Sequence, residues 1–374
     1  MVTGSTPPTS DKQNYSSNDV CFVKPSDIGQ DGITDIQETE FHISEYAYNN
    51  TNRKLPKGSV LVTCIGIIGK VGILTKEATC NQQINAVIPN SAIMPRYLAY
   101  CIKSIRKALQ DKANAPVVPI LNKGQFSSFQ IPVPPLPVQQ QICSLLDKLS
   151  RVIEAKKEQL KELDNLAQAI FYDMFGDPIT NDKGWDVMTI GEVCKSKNSI
   201  IRANNYFDDS DTIDYIDISS IDNTLNIIIS TSSFVFSEAP SRAQQKVEKD
   251  DLLISLVRPN LKNIALVSDS KTTTVASSGF CVLRASLVSP YYLKYLVITK
   301  EFTEYLCKRV CGISYPAVKE FDIKGCPIGV PPLLLQQAFA EKVEAIERQK
   351  ELINQSIREV QTLFDSRMDY WFSD

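Results

Sequence analysis

Residues 131–142 read IPVPPLPVQQQI, and residues 328–339 read IGVPPLLLQQAF. In both segments a run of prolines and aliphatic residues ends in a glutamine pair, and the offset between them is 197 residues (131 to 328). Upstream, PRYLAY at 95–100 matches PYYLKY at 290–295, and KGSVL at 57–61 matches KDDLL at 249–253. Matches that keep their order over so much of the chain predict an internal duplication.

A long amphipathic helix is predicted after each proline–glutamine segment. Steps of four and three residues from Ile142 give ten positions, nine of them apolar, and the same steps from Phe339 give ten positions, eight of them apolar. This spacing is typical of a coiled-coil seam. The positions are Ile142, Leu146, Leu149, Ile153, Lys156, Leu160, Leu163, Ala167, Ile170 and Met174, then Phe339, Val343, Ile346, Lys350, Ile353, Ile357, Val360, Phe364, Arg367 and Trp371. The prolines set the helix starts, and Gly176, followed by Pro178, ends the first helix.

The two helices are predicted to pair with each other, because two seams of equal length in one chain favour mutual packing. The alternative for either seam alone is packing on a globular core. A second globular domain begins near Trp185, so the helix that leaves it must run back along the first helix. The pair is therefore antiparallel, and each helix of about 33 residues would span about 50 Å.

The predicted fold class is α+β, with two globular domains joined by an antiparallel two-helix coiled coil with pseudo-two-fold symmetry. Short apolar runs at 59–66, 71–74, 251–257 and 264–267 predict strands, and 97–106 and 291–310 have helical spacing. The predicted boundaries are 1–137 for the N-terminal domain, 138–175 for the central helix, 176–334 for the C-terminal domain and 335–374 for the C-terminal helix.

The bulk composition indicates a globular protein. Of 374 residues, 43% are hydrophobic and 22% charged, and no apolar run approaches the roughly 18 to 20 residues that span a bilayer. The start, MVTGSTPPTS, lacks the basic and apolar regions of a secretory signal, so a cytoplasmic location is expected. A net charge of −3 argues against a polyanion-binding surface over the whole protein. It is compatible with a basic face on one side.

Neither metal chemistry nor catalysis is expected of the chain itself. The ten cysteines form no Cys-x-x-Cys pair, and His42 is the only histidine, so reduced structural thiols are expected and no metal site. His42 itself is expected to be an ordinary surface or loop residue. The Asn/Asp-Pro-Pro-aromatic motif of an amino-methyltransferase is not present in the sequence. The segment GIIGKV at 66–71 lacks the spacing of a Walker A loop, which would bind ATP. This segment instead predicts a tight turn between strands.

Two inverted copies of one domain on a stiff spacer suit a target with local two-fold symmetry, such as duplex DNA. Each domain would then read a few base pairs, and the helices would set the unread gap. Because the domains differ away from the repeated segments, the two half-targets should differ. The alternative hypothesis is a coiled-coil interaction or adaptor protein without DNA reading. An autonomous nuclease or methylase is disfavoured by the missing motifs.

Over nearly its whole length the chain resembles the specificity subunit of type I restriction–modification systems. The motifs that carry the resemblance are TGSTPP at 3–8, IGKVG at 68–72, IPVPP at 131–135 with Gln139 and Gln140, MFGDP at 174–178 with Asn181 and Trp185, and VPP at 330–332 with Gln336. The resemblance implies two target-recognition domains and a double-stranded DNA target. It also implies helices that dock modification (methyltransferase) subunits and, through them, restriction subunits.

The resemblance further implies a specificity component of a type I restriction endonuclease and adenine-N6 DNA methyltransferase complex. No cofactor is expected on this chain, and S-adenosylmethionine, ATP and Mg are expected on partner subunits. WDVMTIGEV at 185–193 would form the first strand and turn of such a domain. The first domain has no counterpart of this segment, so its start is expected to be truncated.

Polar and basic loop residues are the candidate DNA contacts, because Arg and Lys suit guanine edges or phosphates and Asn or Gln can pair with adenine. For each of them a solvated surface side chain is the alternative. In the first domain they are Ser5, Thr6, Lys24, Ser26, Lys70, Gln82, Gln83 and Lys123. In the second they are Arg202, Arg242, Gln244, Gln245, Arg258, Asn260, Lys262 and Ser278, with Arg258-Pro-Asn260 expected to be a rigid turn. Gln139, Gln140, Gln336 and Gln337 begin the helices, where they either bind partner subunits or form hydrogen bonds at the helix terminus.

Overall fold

The computed structural model describes residues 1–113, 118–195, 200–268, 273–312 and 316–372. Contacts divide the chain into two units: unit 1 comprises residues 1–157 and 354–374, and unit 2 comprises residues 158–353. Both units combine helices and sheets, which confirms the α+β class. No helix within the described ranges has the length and apolar character needed to cross a membrane.

Among its described residues, unit 1 contains two sheets and four short α-helices. Its strands are Val2–Thr3 (β1), Val20–Val23 (β2), Ile33–Ile36 (β3), His42–Ile43 (β4), Val60–Thr63 (β5), Val71–Leu74 (β6), Ala78–Cys80 (β7) and Ile84–Val87 (β8). One sheet has the order β1-β8-β5-β6-β3 and the other β4-β2-β7. Its short helices are Glu45–Asn50 (α1), Pro95–Ser104 (α2), Arg106–Lys112 (α3) and Lys123–Ser127 (α4).

Two long helices follow the proline–glutamine segments, as predicted. They are Leu136–Phe175 (α5) and Leu333–Phe372 (α10, after the elements of unit 2), and each crosses a unit boundary. Gly176 has a φ of 69°, and its amide donates to the Tyr172 carbonyl at 2.9 Å. Glycine adopts this left-handed conformation without the Cβ penalty, so the predicted stop of the first helix is confirmed.

In the part of unit 2 that the structure describes, the strands form four small sheets. Its strands are Asp186–Thr189 (β9), Thr212–Ile216 (β10), Ile221–Asp222 (β11), Ile227–Ile228 (β12), Ser232–Val235 (β13), Ala243–Lys246 (β14), Asp251–Ser255 (β15), Ile264–Leu266 (β16), Thr274–Ser277 (β17), Phe280–Arg284 (β18) and Pro327–Val330 (β19). The sheet orders are β13-β10-β17-β14, β11-β12, β16-β15-β18 and β19-β9. Its short helices are Ile190–Val193 (α6), Pro290–Val297 (α7), Lys300–Cys307 (α8) and Glu320–Lys324 (α9).

The duplication is visible in the strand connections of each unit taken separately. In unit 1, β5 pairs antiparallel with β6 and β8, and in unit 2, β15 pairs antiparallel with β16 and β18. Among the described residues, β2 pairs parallel with β7 in unit 1 and β10 pairs parallel with β17 in unit 2, and unit 1 has a further parallel pair, β3 with β6. Alternate residues of β5 point into different cores, Val60 and Val62 into one and Leu61 into the other. In β15, Leu252 and Leu253 likewise point into two different cores. This alternation is expected for strands buried on both faces.

The long helices pack in opposite directions. In unit 1 the start of α5, at Ile142 and Leu146, shares a core with Phe364 and Met368 near the end of α10. In unit 2 the end of α5, residues 167–175, shares a core with residues 339–346 at the start of α10. Each unit therefore contains the start of one helix beside the end of the other, which confirms the predicted antiparallel pairing.

The predicted positions of the buried seam are wrong near the carboxyl ends of the two long helices. Ile170 and Met174 are only partly buried and Arg367 is exposed, whereas Phe171 and Phe175 are fully buried. An α-helix drifts by about 20° per heptad from a strict seven-residue repeat. The drift brings the next residue into the seam near the ends, where Phe171 also packs against Tyr292.

Two predicted helices and one loop assignment differ from the structure. The segment predicted as one helix over 291–310 is broken into α7 and α8, because the Thr299 hydroxyl accepts a hydrogen bond from the Phe302 amide and starts a new helix. The segment predicted as one helix over 97–106 likewise divides into α2 and α3 at Ile105. His42 lies in strand β4, not in a loop. The turn at 66–71 is confirmed, with Gly66 and Gly69 both at positive φ.

Candidate nucleic-acid interface

The predicted DNA contacts of unit 1 gather at one edge of the small three-stranded sheet β4-β2-β7, the edge where the carboxyl ends of β2 and β7 lie. Strands β2 and β7 are parallel, with Val23 opposite Cys80, so their carboxyl ends lie side by side. The Asn81 amide, just after β7, donates to the Val23 carbonyl at 3.0 Å. Lys24 follows β2 directly, and Gln82 and Gln83 follow β7. Residues far apart in the chain thus meet at the carboxyl end of this strand pair.

The segment at residues 4–6 is bound against the same edge. The Ser5 amide donates to the Cys80 carbonyl at 2.9 Å, and the Thr6 hydroxyl donates to Oε1 of Gln82 at 2.7 Å. A Cβ on Gly4 would lie 2.0 Å from the Asn81 carbonyl oxygen, so only glycine permits this approach. Thr6 and Gln82 are both exposed, and together they present a hydroxyl and an amide to solvent.

Lys24, Ser26 and Lys70 lie at the turn that follows β2. The Lys24 ammonium is 2.9 Å from the centroid of the Phe41 ring, a cation–π contact that positions it. The Lys70 ammonium donates to the carbonyls of Pro25 and Ile28 at 3.0 and 2.8 Å. Lys70 therefore stabilises the turn that carries the exposed Ser26, and most of its hydrogen-bonding capacity is used inside the protein.

Lys123 is not part of this group. It is exposed at the first position of α4. The segment before α4 is connected to the edge by backbone hydrogen bonds through Cys64. The Cys64 amide donates to the Gln83 carbonyl at 2.8 Å, and the Cys64 carbonyl accepts from the Leu121 amide at 2.9 Å. The structure thus brings together seven of the eight residues predicted in the first domain.

The predicted contacts of unit 2 gather at the equivalent edge, the carboxyl end of the parallel pair β10 and β17. The Ser278 amide, after β17, donates to the Arg242 carbonyl at 2.8 Å, and Arg202 forms a β-bridge with Gln245. A cleft of about 550 Å³ is lined by residues that include Arg202, Gln244, Gln245 and Ser278. Arg202 and Gln244 also line a second cleft of about 310 Å³, so these two exposed side chains lie between two grooves.

Gln245 has a structural role within this edge. Its Nε2 donates to the carbonyls of Ser277 and Phe280 at 2.9 and 3.0 Å. The side-chain amide therefore joins β14 to the segment after β17. Its donors are occupied, which leaves Gln244 as the glutamine that faces solvent at this edge.

The turn Arg258–Lys262 is a second exposed element of unit 2. Pro259–Leu261 form a single 3-10 turn between Arg258 and Lys262, whose φ values of 49° and 50° are left-handed. Such a conformation costs a non-glycine residue about 1–2 kcal/mol, and conformations of this kind cluster at functional sites. The Leu256 amide donates to the Gly279 carbonyl at 2.9 Å, so the turn begins next to the edge that carries Ser278.

Lys262 is directed away from Arg258 and Asn260. Its ammonium donates to the Ile298 carbonyl at 2.9 Å, and it lines a separate cleft of about 430 Å³ with Lys294 and Tyr295. Arg258 and Asn260 are exposed. The predicted turn is therefore present, but Lys262 stabilises the fold on another side.

Gln139 and Gln336 take the second of the two roles considered for them, hydrogen bonding at the helix start. Oε1 of Gln139 accepts from the Met94 amide at 2.8 Å, and its Nε2 donates to the Ala92 and Pro134 carbonyls. Oε1 of Gln336 accepts from the Ser289 amide at 2.7 Å, and its Nε2 donates to the Pro331 carbonyl. Both side chains are at most 1% exposed. They join the long helices to the N-caps of α2 and α7, which is the helix-terminal hydrogen bonding that the sequence analysis gave as the alternative to partner binding.

Asp217 and Asn204 are polar residues at the edge of unit 2 that the sequence analysis missed. Asp217 follows β10 directly. Burial alone would raise its pKa, but hydrogen bonds from Ser219 and Ser220 outweigh burial and lower it, so the edge of unit 2 carries an anion. A carboxylate can accept from the amino group of cytosine. Asn204 lines the smaller cleft beside Arg202. For Asp217, a polar residue directly after a strand was the signal in the sequence.

Comparison with known protein families matches both halves of the chain to the same family model. A family model described as "Type I restriction modification DNA specificity domain" matches residues 2–165 and 182–362. The MjaIX type I restriction enzyme specificity subunit of Methanocaldococcus jannaschii is 24% identical over 363 residues, covering 92% of this chain and 83% of that protein. The EcoR124I/EcoR124II specificity subunit of Escherichia coli is 31% identical over 174 residues, covering 44% of this chain and 42% of that protein.

Two solved structures with similarity to the chain were also found. The HsdS subunit from Thermoanaerobacter tengcongensis is 34% identical with a TM-score of 0.41, and the match covers 48% of this chain and 46% of that one. The type I restriction–modification S subunit from M. genitalium is 14% identical with a TM-score of 0.49, and the match covers 100% of this chain and 93% of that one.

Proposed function

The chain belongs to the type I restriction modification DNA specificity family, and on that premise we propose that it is the sequence-specificity component of a type I restriction–modification complex. Each unit reads one half of a bipartite, asymmetric site on double-stranded DNA. The chain itself is non-catalytic. The adenine-N6 methyltransferase and endonuclease activities, with S-adenosylmethionine, ATP and Mg, reside on partner subunits.

The observation that carries the proposal is the position of the polar side chains in both units. In each unit they collect at the carboxyl end of one parallel strand pair, β2 and β7 in unit 1 and β10 and β17 in unit 2. Two copies of a domain that use the same edge are expected to contact DNA in the same manner. Base edges in the major groove are distinguished by hydrogen-bond donors and acceptors, and both edges supply them.

The chemistry of the two edges predicts two different half-sites. Unit 1 exposes Thr6 and Gln82, a hydroxyl and an amide, and an amide pairs well with adenine. Unit 2 exposes Arg202 and Arg242 beside Gln244, and arginine pairs well with guanine. An asymmetric bipartite site is the expected result.

The long helices are proposed to set the unread spacer and to dock the modification subunits. The proposed domain boundaries remain 1–137, 138–175, 176–334 and 335–374. Gln140 and Gln337 are exposed at the helix starts and remain candidates for partner contact. On the α5 half in unit 1, Val138, Leu145 and Val152 recur every seven residues and are 37–42% exposed. An apolar stripe of this kind suits a protein partner.

Methylation sequencing of the host genome tests the proposed function. A strain with the partner modification genes is compared with one in which only this gene is deleted. We expect one split adenine-methylated motif that disappears on deletion and returns on complementation. If no split motif depends on this gene, the proposal is wrong. An adaptor without DNA reading would instead bind its partners with no DNA shift and little response to salt, since DNA contacts weaken as salt rises.

A further inference from the structure

Three side chains with different metal-binding atoms converge at the paired strands β2 and β4 of unit 1. Sγ of Cys21 is 3.8 Å from Oε2 of Glu38 and 3.8 Å from Nε2 of His42. The Glu38 oxygen and the His42 nitrogen are 3.5 Å apart. Within the described ranges, this is the group of His, Cys, Asp and Glu side chains whose ligand atoms all lie close enough to share one ion.

The fold brings these residues together without relying on a short sequence motif. Cys21 in β2 and His42 in β4 are directly opposite each other in an antiparallel pair, and opposite side chains on one face lie about 5 Å apart at Cβ. Glu38 precedes His42 by four residues in the segment that leads into β4. Two of the three side chains are therefore positioned by strand pairing, which is more rigid than a loop.

The triangle of ligand atoms fits a tetrahedral zinc site. With zinc–sulfur bonds of about 2.3 Å and zinc–nitrogen or zinc–oxygen bonds of about 2.0–2.1 Å, tetrahedral angles place sulfur about 3.5 Å from nitrogen or oxygen. The same angles place nitrogen about 3.3 Å from oxygen. The observed separations of 3.8, 3.8 and 3.5 Å exceed these values by a few tenths of an ångström. Small side-chain movements close that gap.

The charges and the exposure of the group also suit a divalent ion. A thiolate and a carboxylate together balance two positive charges. The Lys76 ammonium is 2.6 Å from Oε1 of Glu38, and this contact orients the carboxylate so that Oε2 faces the other two ligands, as an outer-shell partner does. The Cys21 side chain is buried, whereas that of His42 is 22% exposed and that of Glu38 72% exposed. Solvent can therefore supply a fourth ligand.

We propose that Cys21, Glu38 and His42 form a transition-metal site that binds Zn²⁺, with water in the fourth position. The mixed sulfur, nitrogen and oxygen ligands favour zinc over magnesium or calcium, which prefer oxygen alone. The ion stabilises the segment 37–42. That segment carries Phe41, whose ring contacts the Lys24 ammonium, and so the ion also stabilises the edge of unit 1. The site itself does not depend on the proposed function.

Titration of the full-length, metal-free protein with Co²⁺ and then with Zn²⁺ tests the site. In the wild type we expect about one equivalent of Co²⁺, a thiolate-to-cobalt charge-transfer band, and visible bands with the intensity of tetrahedral cobalt. Zn²⁺ should displace the cobalt and raise the melting temperature, because a ligand that binds the folded state stabilises it. Glu38→Gln and His42→Gln retain all ten cysteines and should weaken binding at least about tenfold.

Matched variants separate the site from other ligands. Glu40→Gln removes an exposed carboxylate two residues from Glu38 and should bind the metal like the wild type. Replacing Cys307 and Cys311, the exposed thiols, by serine should also leave binding unchanged. The proposal is overturned if the wild type binds no stoichiometric metal, or if Glu38→Gln and His42→Gln bind as tightly as the wild type. It is equally overturned if the loss of Cys307 and Cys311 abolishes the cobalt bands.

Discussion

Thr6 and Gln82 are 76 residues apart in the chain, yet their side chains share a hydrogen bond of 2.7 Å. Both were named from the sequence because hydroxyl and amide groups suit base edges. Only the approach at Gly4 and the parallel pairing of β2 with β7 bring them to one place. At the scale of the residue, side-chain type indicates a candidate contact, and backbone geometry decides whether the candidate has neighbours.

Substitution of Arg202 by alanine should impair recognition of one half-site only. Arg202 is exposed between the two clefts of unit 2, and a specific arginine contact contributes about 1–3 kcal/mol of discrimination against the wrong base. Binding of the assembled complex to sites mutated in either half measures this effect. The matched variant Lys249→Ala, exposed in the same unit, should change discrimination little. Equal losses at both half-sites would contradict the assignment.

The buried thiols predict that stability falls in alkali. Burial raises the pKa of Cys64 to about 11, and that of Cys80, Cys101, Cys143, Cys194 and Cys326 to about 12, from an ordinary value of 9.0. A raised folded pKa contributes stability that is present below pH 9 and is lost as pH rises toward the folded pKa. Each thiol then lowers the free energy of unfolding by about 1.4 kcal/mol per pH unit.

Denaturation at pH 8, 9 and 10 (values about the ordinary thiol pKa) checks the prediction. Cys80→Ala removes one buried thiol, so the decline between pH 9 and 10 should be shallower than in the wild type by about 1 kcal/mol. Cys307→Ala removes an exposed thiol and should leave the decline unchanged. Identical pH profiles for Cys80→Ala and the wild type would refute the explanation.

At the scale of the element, the long helices depend on two residues for which the sequence left two roles open, partner binding and hydrogen bonding at the helix terminus. Gln139 and Gln336 occupy equivalent positions in the duplication, and each accepts from the backbone amide at the N-cap of a neighbouring short helix. A buried amide with several partners is a structural group, because every unpaired atom would lose solvation. In both copies the repeated segment thus supplies the junction between a long helix and a short one.

Alanine at either buried glutamine should destabilise the protein. Gln139→Ala or Gln336→Ala leaves backbone groups unpaired, which costs about 1–3 kcal/mol. The adjacent Gln140→Ala and Gln337→Ala, at exposed positions, should change the free energy of unfolding by no more than about 0.5 kcal/mol. Chemical denaturation of the four variants measures the contrast. A larger loss at the exposed glutamines would show that the roles are reversed.

At the scale of the whole molecule, the helices are the part of the chain that both units share. Their lengths are equal, at 40 residues each. If they set the spacer of a bipartite site, their length is the variable that changes it. Neither domain needs to change its own contacts.

Insertion of seven residues into both helices, after Lys157 and after Ile353, should lengthen the unread spacer. Seven residues add about 10 Å of helix, which corresponds to about 3 base pairs at about 3.4 Å each. Methylation sequencing of the variant should find the same two half-sites with the longer gap. The matched control is an insertion in one helix only. It shifts the apolar seam of that helix out of register with the seam of the other helix, and it should therefore abolish methylation. An unchanged gap in the double insertion would rule out the helices as the ruler.

The sequence by itself determined the duplication, the helix ends and the antiparallel pairing, because periodic apolar spacing, proline and glycine act locally. It also supplied the types of residue that suit DNA. Only the tertiary structure decided which of them meet, that Gln139 and Gln336 are buried, and that Phe171 replaces Ile170 in the seam. It alone placed Cys21 opposite His42. The physical reason is that strand register and helix packing join residues far apart in the chain, and no local pattern encodes those contacts.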